Sequence, residues 1–307
     1  MQHLKKSLLS LVFILGSATA LFAQDDMLGA IENSGEKPVE YANNAFKSSR
    51  VINGHSMEFI GAGVLDVRIL HRFGFVNSGA ENLWGLDKAT MRFGFDYGIN
   101  KDLTIGVGRC TYQKEFDGFI KYRPIQQHTG GKHPFPVSIV LVSGATIVTD
   151  KNLDIPNAPN YVADKMAFYN QVIIGRKFSD AFSFEIAPTL IHLNMVKEKE
   201  FKNDIFALGF GARYKFTKRT AFVVDYHHVF GDRDNAQFAD VKDPLSIGLD
   251  IETGGHVFQL HFSNAEGMNE KAFITNTRNS WGKGEISFGF NLSRVFTIVE
   301  KKSLKAN

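Results

Sequence analysis

The sequence predicts an all-β protein, a transmembrane antiparallel up-and-down β-barrel of about 12 strands. Three observations predict it. Stretches such as "ATMRFGFDYGINKDLTIGVG", Ala89 to Gly108, place an apolar or aromatic residue at nearly every second position, break briefly and resume, the period of strands with two unlike faces. The connections between such stretches run alternately long and short, as in barrels with tight turns at one rim and long loops at the other. The chain opens on "MQHLKKSLLSLVFILGSATALFAQDD", which has the lysines, apolar run and small residues of a secretory signal peptide.

That apolar run is shorter than the roughly 18 to 20 residues a spanning helix needs. Residues 1–23 are therefore expected to be a cleaved leader, cut after Ala20 or Ala23. Residues 24–50 follow neither strand nor helix period and are expected to form an irregular periplasmic lead-in. The barrel is expected over 51–298, with a polar tail over 299–307. Loss of Lys5 and Lys6 with the leader takes the formal charge from +3 to about +1. Without a clustered basic excess, nucleic acid is not an expected partner. The single cysteine, Cys110, excludes an internal disulfide and any metal site built from several thiolates. Gly and Phe stand at 28 each with only 8 Pro, a balance that favours strands.

The first strand is expected in "MEFIGAGVLDVRILHRFG", with Met57, Phe59, Leu65, Val67, Ile69 and Phe73 on one face and Glu58, Asp66, Arg68 and Arg72 on the other. Ala89 to Gly108 supplies the second and third. Then come "FDGFIKYRPIQ", "VSIVLVSGATIV", "KMAFYNQVIIGRKF", "FSFEIAPTLIHLN", "DIFALGFGARYKF" and "AFVVDYHHVFG". "PLSIGLDI" and "HVFQLHFSN" are marginal for the 9 to 11 residues or so a crossing needs, and "EISFGFNLSRVF" is the last. The count is expected between 10 and 14.

The parity of each run collects charge on one face. Asp66, Arg68, Arg72, Arg92, Asp96, Lys121, Arg123, Glu185, Arg213, Lys215, Asp225 and Glu285 share it and are the candidate lumen-lining residues. Phe93, Phe95, Phe184, Phe206, Phe222 and Phe288 are among those on the opposite face. A soluble sandwich could bury those phenylalanines between two sheets, so the faces alone do not choose the solvent. The loop alternation does. Two connections break it: "QKE" is short where a long loop is due, and "QQHTGGKHPFP" long where a turn is due. Inside lipid every backbone N–H and C=O needs a partner, and a closed sheet leaves no edge.

Several blocks carry a family resemblance. "RVINGHSMEF", "GVLDVRILHRFG", "WGLDKATMRFGFDYGINKDLTIGVGR", "FDGFIKYR" and "GRKFSDAFSFEIAPTLIHLN" resemble an exported outer-membrane β-barrel family catalogued as domain of unknown function 5777. The resemblance runs from about Arg50 to the final strand and implies a membrane barrel. It brings no catalytic residues. Cys110 departs from the small hydroxyl residue expected there.

Candidate chemistry is sparse. His55 and Ser56 precede the first strand, and His192 and Asn194 fall near the long-loop rim, but a nucleophile needs a base within hydrogen-bond reach. Adjacent His227 and His228 point to opposite faces of a strand and cannot share an ion; for His128 and His133 the sequence offers no evident third ligand. "GVGRC" and "GFGARYKF" have no following helix to cradle phosphate. No cofactor, metal or catalytic site is expected. The function expected is a non-enzymatic, porin-like conduit or transporter for small polar solutes in the outer membrane, with an ion-paired lumen; its partners are outer-membrane lipid and, during assembly, the barrel-insertion machinery. A lipid-active barrel enzyme and a structural or adhesive barrel acting through its long loops are the alternatives. Arg92→Ala is expected to cost little unless Arg92 belongs to an ion pair.

Overall fold

The computed structural model describes residues 37–151, 161–253 and 256–299. The expected leader, the first part of the lead-in and the end of the tail lie outside them. Residues 37–40 and 130–134 form a small unit of their own, tied by the Gly131 N–H to Lys37 O at 2.9 Å. The remaining described residues belong to the barrel unit.

Twelve strands close that barrel. They are β1 Val64–Phe75, β2 Ala89–Asn100, β3 Leu103–Cys110, β4 Glu115–Ile125, β5 Ser138–Val148 and β6 Met166–Lys177. The second half comprises β7 Phe182–Leu193, β8 Asp204–Lys215, β9 Thr220–Phe230, β10 Leu245–Thr253, β11 His256–Ser263 and β12 Ser287–Thr297. Each strand pairs antiparallel with its neighbours in sequence, and β12 closes on β1 with Thr297 opposite Val64. The β4–β5 ladder shifts register between Tyr122 and Ile125, across Pro124, which has no N–H to give a ladder.

The wall is inside out relative to a soluble protein. In β2, Arg92 and Asp96 are fully buried while Phe93, Phe95 and Ile99 are 46–47% exposed. In β3, Val107 is 59% exposed beside buried Thr104. An apolar exterior around charged, buried side chains is the alternation of a barrel in lipid. Among the described residues no helix is long and apolar enough to cross a membrane, which says nothing of strands.

The rim bearing Val64 and Thr297 is here called the terminal rim, the other the long-loop rim. Both irregular connections fall as expected: β3 to β4 is a tight turn over Thr111–Lys114, with Gln113 and Lys114 at positive φ, and β4 to β5 is long. Three expectations need correction. The first strand begins at Val64 rather than Met57, because Ala45–Ile60 turn into the barrel interior, where Phe46, Ile52 and Met57 are buried. The barrel wall therefore starts after the expected boundary at 51. The long β11–β12 connection contains a helix, α1 Glu270–Asn276, which no period announced. Glu285 precedes β12 instead of lying on it and accepts the Ser280 N–H at 2.8 Å.

Candidate functional site: the filled lumen

Two elements fill the lumen. From the terminal rim, residues 42–62 enter and return as a hairpin. Its limbs are joined by the Arg50–His55 bridge and by the Ser56 N–H to Ser49 O at 3.0 Å, and its tip by the Val51 N–H to Gly54 O at 2.9 Å. Asn53 and Gly54 supply the turn chemistry. Gly54 also has a packing reason to be glycine, since a Cβ there would lie 3.0 Å from His227 Nε2.

The tip sits on β9. Asp225 Oδ2 accepts the backbone N–H groups of Ile52, Asn53 and Gly54 at 3.2, 2.7 and 2.9 Å, and its Oδ1 pairs with His227 Nε2 at 2.9 Å. Around the tip, Asn291 donates to Ile52 O at 3.0 Å and Gln259 to Val51 O. Arg72 reaches Asn53 Oδ1 at 2.6 Å. On the returning limb Glu185 accepts the Met57 N–H at 2.7 Å, while Lys121 donates to Ser49 O and Glu58 O at 3.1 and 2.6 Å. The hairpin leaves along β2, where the Gly63 N–H meets Gly98 O at 2.8 Å.

From the long-loop rim comes α1, buried from Glu270 to Thr275. Asn269 caps it, accepting the Ala272 N–H at 2.8 Å and donating to Glu115 at 2.9 Å. Lys271 adds an ion pair to Glu115 at 3.1 Å. Phe273 and Ile274 join a buried apolar cluster with Tyr169, Ile191 and Val229. The two elements meet at Arg50 and Glu270, 2.7 Å apart and fully buried.

The candidate residues divide by this arrangement. Lys121, Arg72, Glu185 and Asp225 grip the hairpin, and Arg68 bonds Ser49 Oγ at 2.6 Å with Asp66 and Asp96 beside it at 3.5 and 4.0 Å. Arg92 pairs with Asp117, and Arg213 with Asp250 at 3.6 Å. Arg123 pairs with Asp102 at 2.9 Å near the terminal rim, and Lys215 ends β8 half-buried. Glu285, in its loop, takes no part. Parity reasoning missed Arg50, Asn53 and Glu270, which lie outside any strand. The Asn53-Gly54 turn dipeptide among polar residues was the local signal for the tip.

The histidines are accounted for differently than as nucleophile partners. His55 is buried in the lumen, 3.2 Å from Arg50 Nη2 and 3.4 Å from Glu270 Oε1. Ser56 Oγ turns away to Ser48 O at 2.6 Å. His192 bonds Asp204 at 2.7 Å, and Asn194 donates to Ala163 O. Among the described residues no group of three or more His, Cys, Asp or Glu is placed so that it could hold a metal ion. On the long-loop rim, burial raises the Asp243 carboxyl but hydrogen bonds from the Val229 N–H, His228 and Tyr226 outweigh it and hold it below its ordinary range. Burial, reinforced by Glu266, pushes the Tyr112 phenol up to about 12.

A family model described as membrane bound beta barrel domain, domain of unknown function 5777, matches residues 46–296. The chain belongs to this family. The match starts at Phe46, so the family's domain includes the lumen hairpin as well as the wall. No curated protein matches the chain. Among solved structures, the NanC porin is 11% identical over 75% of this chain and 98% of its own, with a TM-score of 0.47. The KdgM porin is 9% identical over 76% and 99%, TM-score 0.43. OmpF of Salmonella typhi, in complex with daunomycin, is 11% identical over 76% and 97%, TM-score 0.37. The membrane-barrel assignment of this family member rests on the family match and the inverted wall.

Proposed function

We propose that this protein is an outer-membrane conduit for small polar solutes, exported with its leader removed and held closed by its own hairpin. One observation carries the reading. The hairpin enters beside Gln127, which accepts the Ala42 N–H, and leaves beside Gly98, both on the terminal side, and it contributes no strand to the closed ladder. It can therefore withdraw without breaking a strand-to-strand hydrogen bond of the wall. The wall beneath it is polar on β1, β2 and β9 to β12, through residues such as Arg68, Asp96, Asp225, Ser246, Gln259 and Asn291. Rings of charged side chains set selectivity in pores, and Arg68, Asp96 and Asp225 are charged members of this wall. Neither His55 nor His192 is paired with a serine, and the protein is read as a non-enzyme.

Planar-bilayer conductance of the full chain tests this. The native protein is expected to conduct weakly and Arg50→Glu, which sets two carboxylates together at Glu270, several-fold more. Ion flow no greater than in a protein-free bilayer for both proteins overturns the conduit.

A second reading, docking through the long loops, has one observation behind it. Leu83 and Trp84 hold positive φ (44° and 51°) while 52% and 59% exposed, and strained, exposed bulky residues cluster at functional sites. Loss of cell-surface adhesion in Trp84→Ala with unchanged conductance would favour it.

A further inference from the structure

The lumen wall grips the hairpin mainly by its main chain. Asp225 takes three consecutive N–H groups and Glu185 a fourth. Lys121, Gln259 and Asn291 donate to four carbonyls, those of Ser49, Glu58, Val51 and Ile52. These five wall residues come from β4, β7, β9, β11 and β12, and each is at most 4% exposed. Carboxylates face N–H groups, and an amine and two amides face carbonyls. This is a donor and acceptor set matched to a peptide bond, whichever side chains the peptide carries.

Two further features sharpen the match. Three successive N–H groups converging on one carboxylate oxygen require a bent chain, so the set selects a turn and rejects an extended strand. Two side chains are read as well: Asn53 receives Arg72 at Oδ1 (2.6 Å) and donates to Ser246 at 3.1 Å, and Ser49 Oγ accepts from Arg68 at 2.6 Å. The wall is also cut back to glycine where the hairpin passes. A Cβ on Gly211 would lie 2.8 Å from Val51 Cγ2, one on Gly175 would overlap the Met57 sulfur, and one on Gly98 would overlap Gly61 O.

We infer that Asp225, Glu185, Lys121, Gln259 and Asn291 form a binding site for short, turn-forming peptides, which the protein's own hairpin occupies in the closed barrel and which cargo peptide takes over when the hairpin withdraws. The inference deepens the conduit reading and rests on it for that withdrawal. It names the cargo as oligopeptide with a polar turn residue such as Asn at the apex. Sugars offer hydroxyl groups that both donate and accept, and such groups do not discriminate between the acceptors and donors laid out here.

The test uses the full chain in detergent micelles and a fluorescent acetylated peptide with the sequence of residues 49–56, SRVINGHS. Gly54→Val presses the tip against His227 and unseats the hairpin while leaving the wall intact; tryptic cleavage after Arg50 reports that it is out. If Arg50 stays protected, the titration is run on Arg50→Glu instead, with tryptic cleavage after Lys47 as the report. The peptide is expected to bind the unseated protein at least tenfold more tightly than the native one, where the hairpin competes. A scrambled peptide with Asn away from the centre, or the additional change Asp225→Ala, should lose at least tenfold. Absence of peptide binding to an unseated protein overturns the inference, as does equal binding of the scrambled peptide or equal displacement by maltohexaose. Conductance separates the two readings. An unseated protein that conducts but binds no peptide sinks the peptide site alone, and one that binds peptide without conducting sinks the conduit.

Discussion

Arg50 Nη1 lies 2.7 Å from Glu270 Oε1, both side chains wholly buried, joining a hairpin that enters from one rim to a helix that enters from the other. The residues are 220 positions apart in sequence. Arg50 also donates to Asn53 O at 2.6 Å, so one guanidinium closes the hairpin tip and fastens it to α1.

Removing one partner of this pair is expected to leave an uncompensated buried charge, a change that costs about 3–5 kcal/mol in other buried pairs. Here the hairpin can leave, so Glu270→Ala should appear first as tryptic cleavage after Lys47 and Arg50, with the barrel still closed on gels. Arg50→Met with Glu270→Leu should restore protection at Lys47, the site that remains. Protection unchanged in Glu270→Ala would mean the pair does not hold the plug.

The two faces of β2 give a second test. Phe93→Arg places a charge on the lipid face and should cost about 2–4 kcal/mol near mid-membrane. Arg92→Ala is no mild change either, because Arg92 bonds Asp117 through Nε at 2.8 Å and through Nη2, and the abandoned carboxylate makes a loss of about 3–5 kcal/mol the expectation. Phe93→Leu and the pair Arg92→Leu with Asp117→Leu are both expected to be mild, which ties the large losses to the charge placed on the lipid face and to the abandoned carboxylate. Refolding into vesicles measures all four.

Gly98 and Gly118 separate a filled position from an empty one. A Cβ on Gly98 would overlap the Gly61 carbonyl of the departing hairpin limb, whereas one on Gly118 meets nothing closer than 3.7 Å. Gly98→Ala should destabilise by about 1–3 kcal/mol through overpacking and loosen the hairpin. Gly118→Ala should stay within about 0.5 kcal/mol. Urea titration in vesicles reads both.

Asp243 ties the loop between β9 and β10 to the wall. It accepts the Val229 N–H and Arg233 at 3.0 Å each, and Tyr226 and His228 at 2.9 Å. Its carboxyl is held below its ordinary range in the folded protein, so this stabilisation is complete above the unfolded carboxylate range and is lost as pH falls through the folded value. Hydrogen exchange at the Val229 amide, corrected for intrinsic rate, should therefore accelerate in acid and not between pH 6 and 8. Asp243→Asn should remove the difference.

How much could be read in advance depends on the range of the contacts. Burial of Asp66, Arg68, Arg92, Asp96, Lys121 and Glu185 followed from period-two alternation, which each strand carries locally. Glu285 was misplaced because parity was extended past Ser287, where the strand begins. The hairpin was illegible for the opposite reason: its tip has no period, the alternation from Met57 reads as wall strand, and its partners Asp225, Gln259 and Asn291 stand 171 to 239 residues away. Inward glycines at 98, 175 and 211 carried a trace of it, as small residues at positions whose parity otherwise holds charge.

The sequence by itself determined the wall: the strand order, the lipid face and the charged face, because alternation against lipid is enforced residue by residue. Only the tertiary structure decided what stands inside. Arg50, Asn53 and Glu270 acquire their roles when the sheet closes and brings distant polar groups to one axis, where each buried donor and acceptor needs a partner that no local pattern specifies.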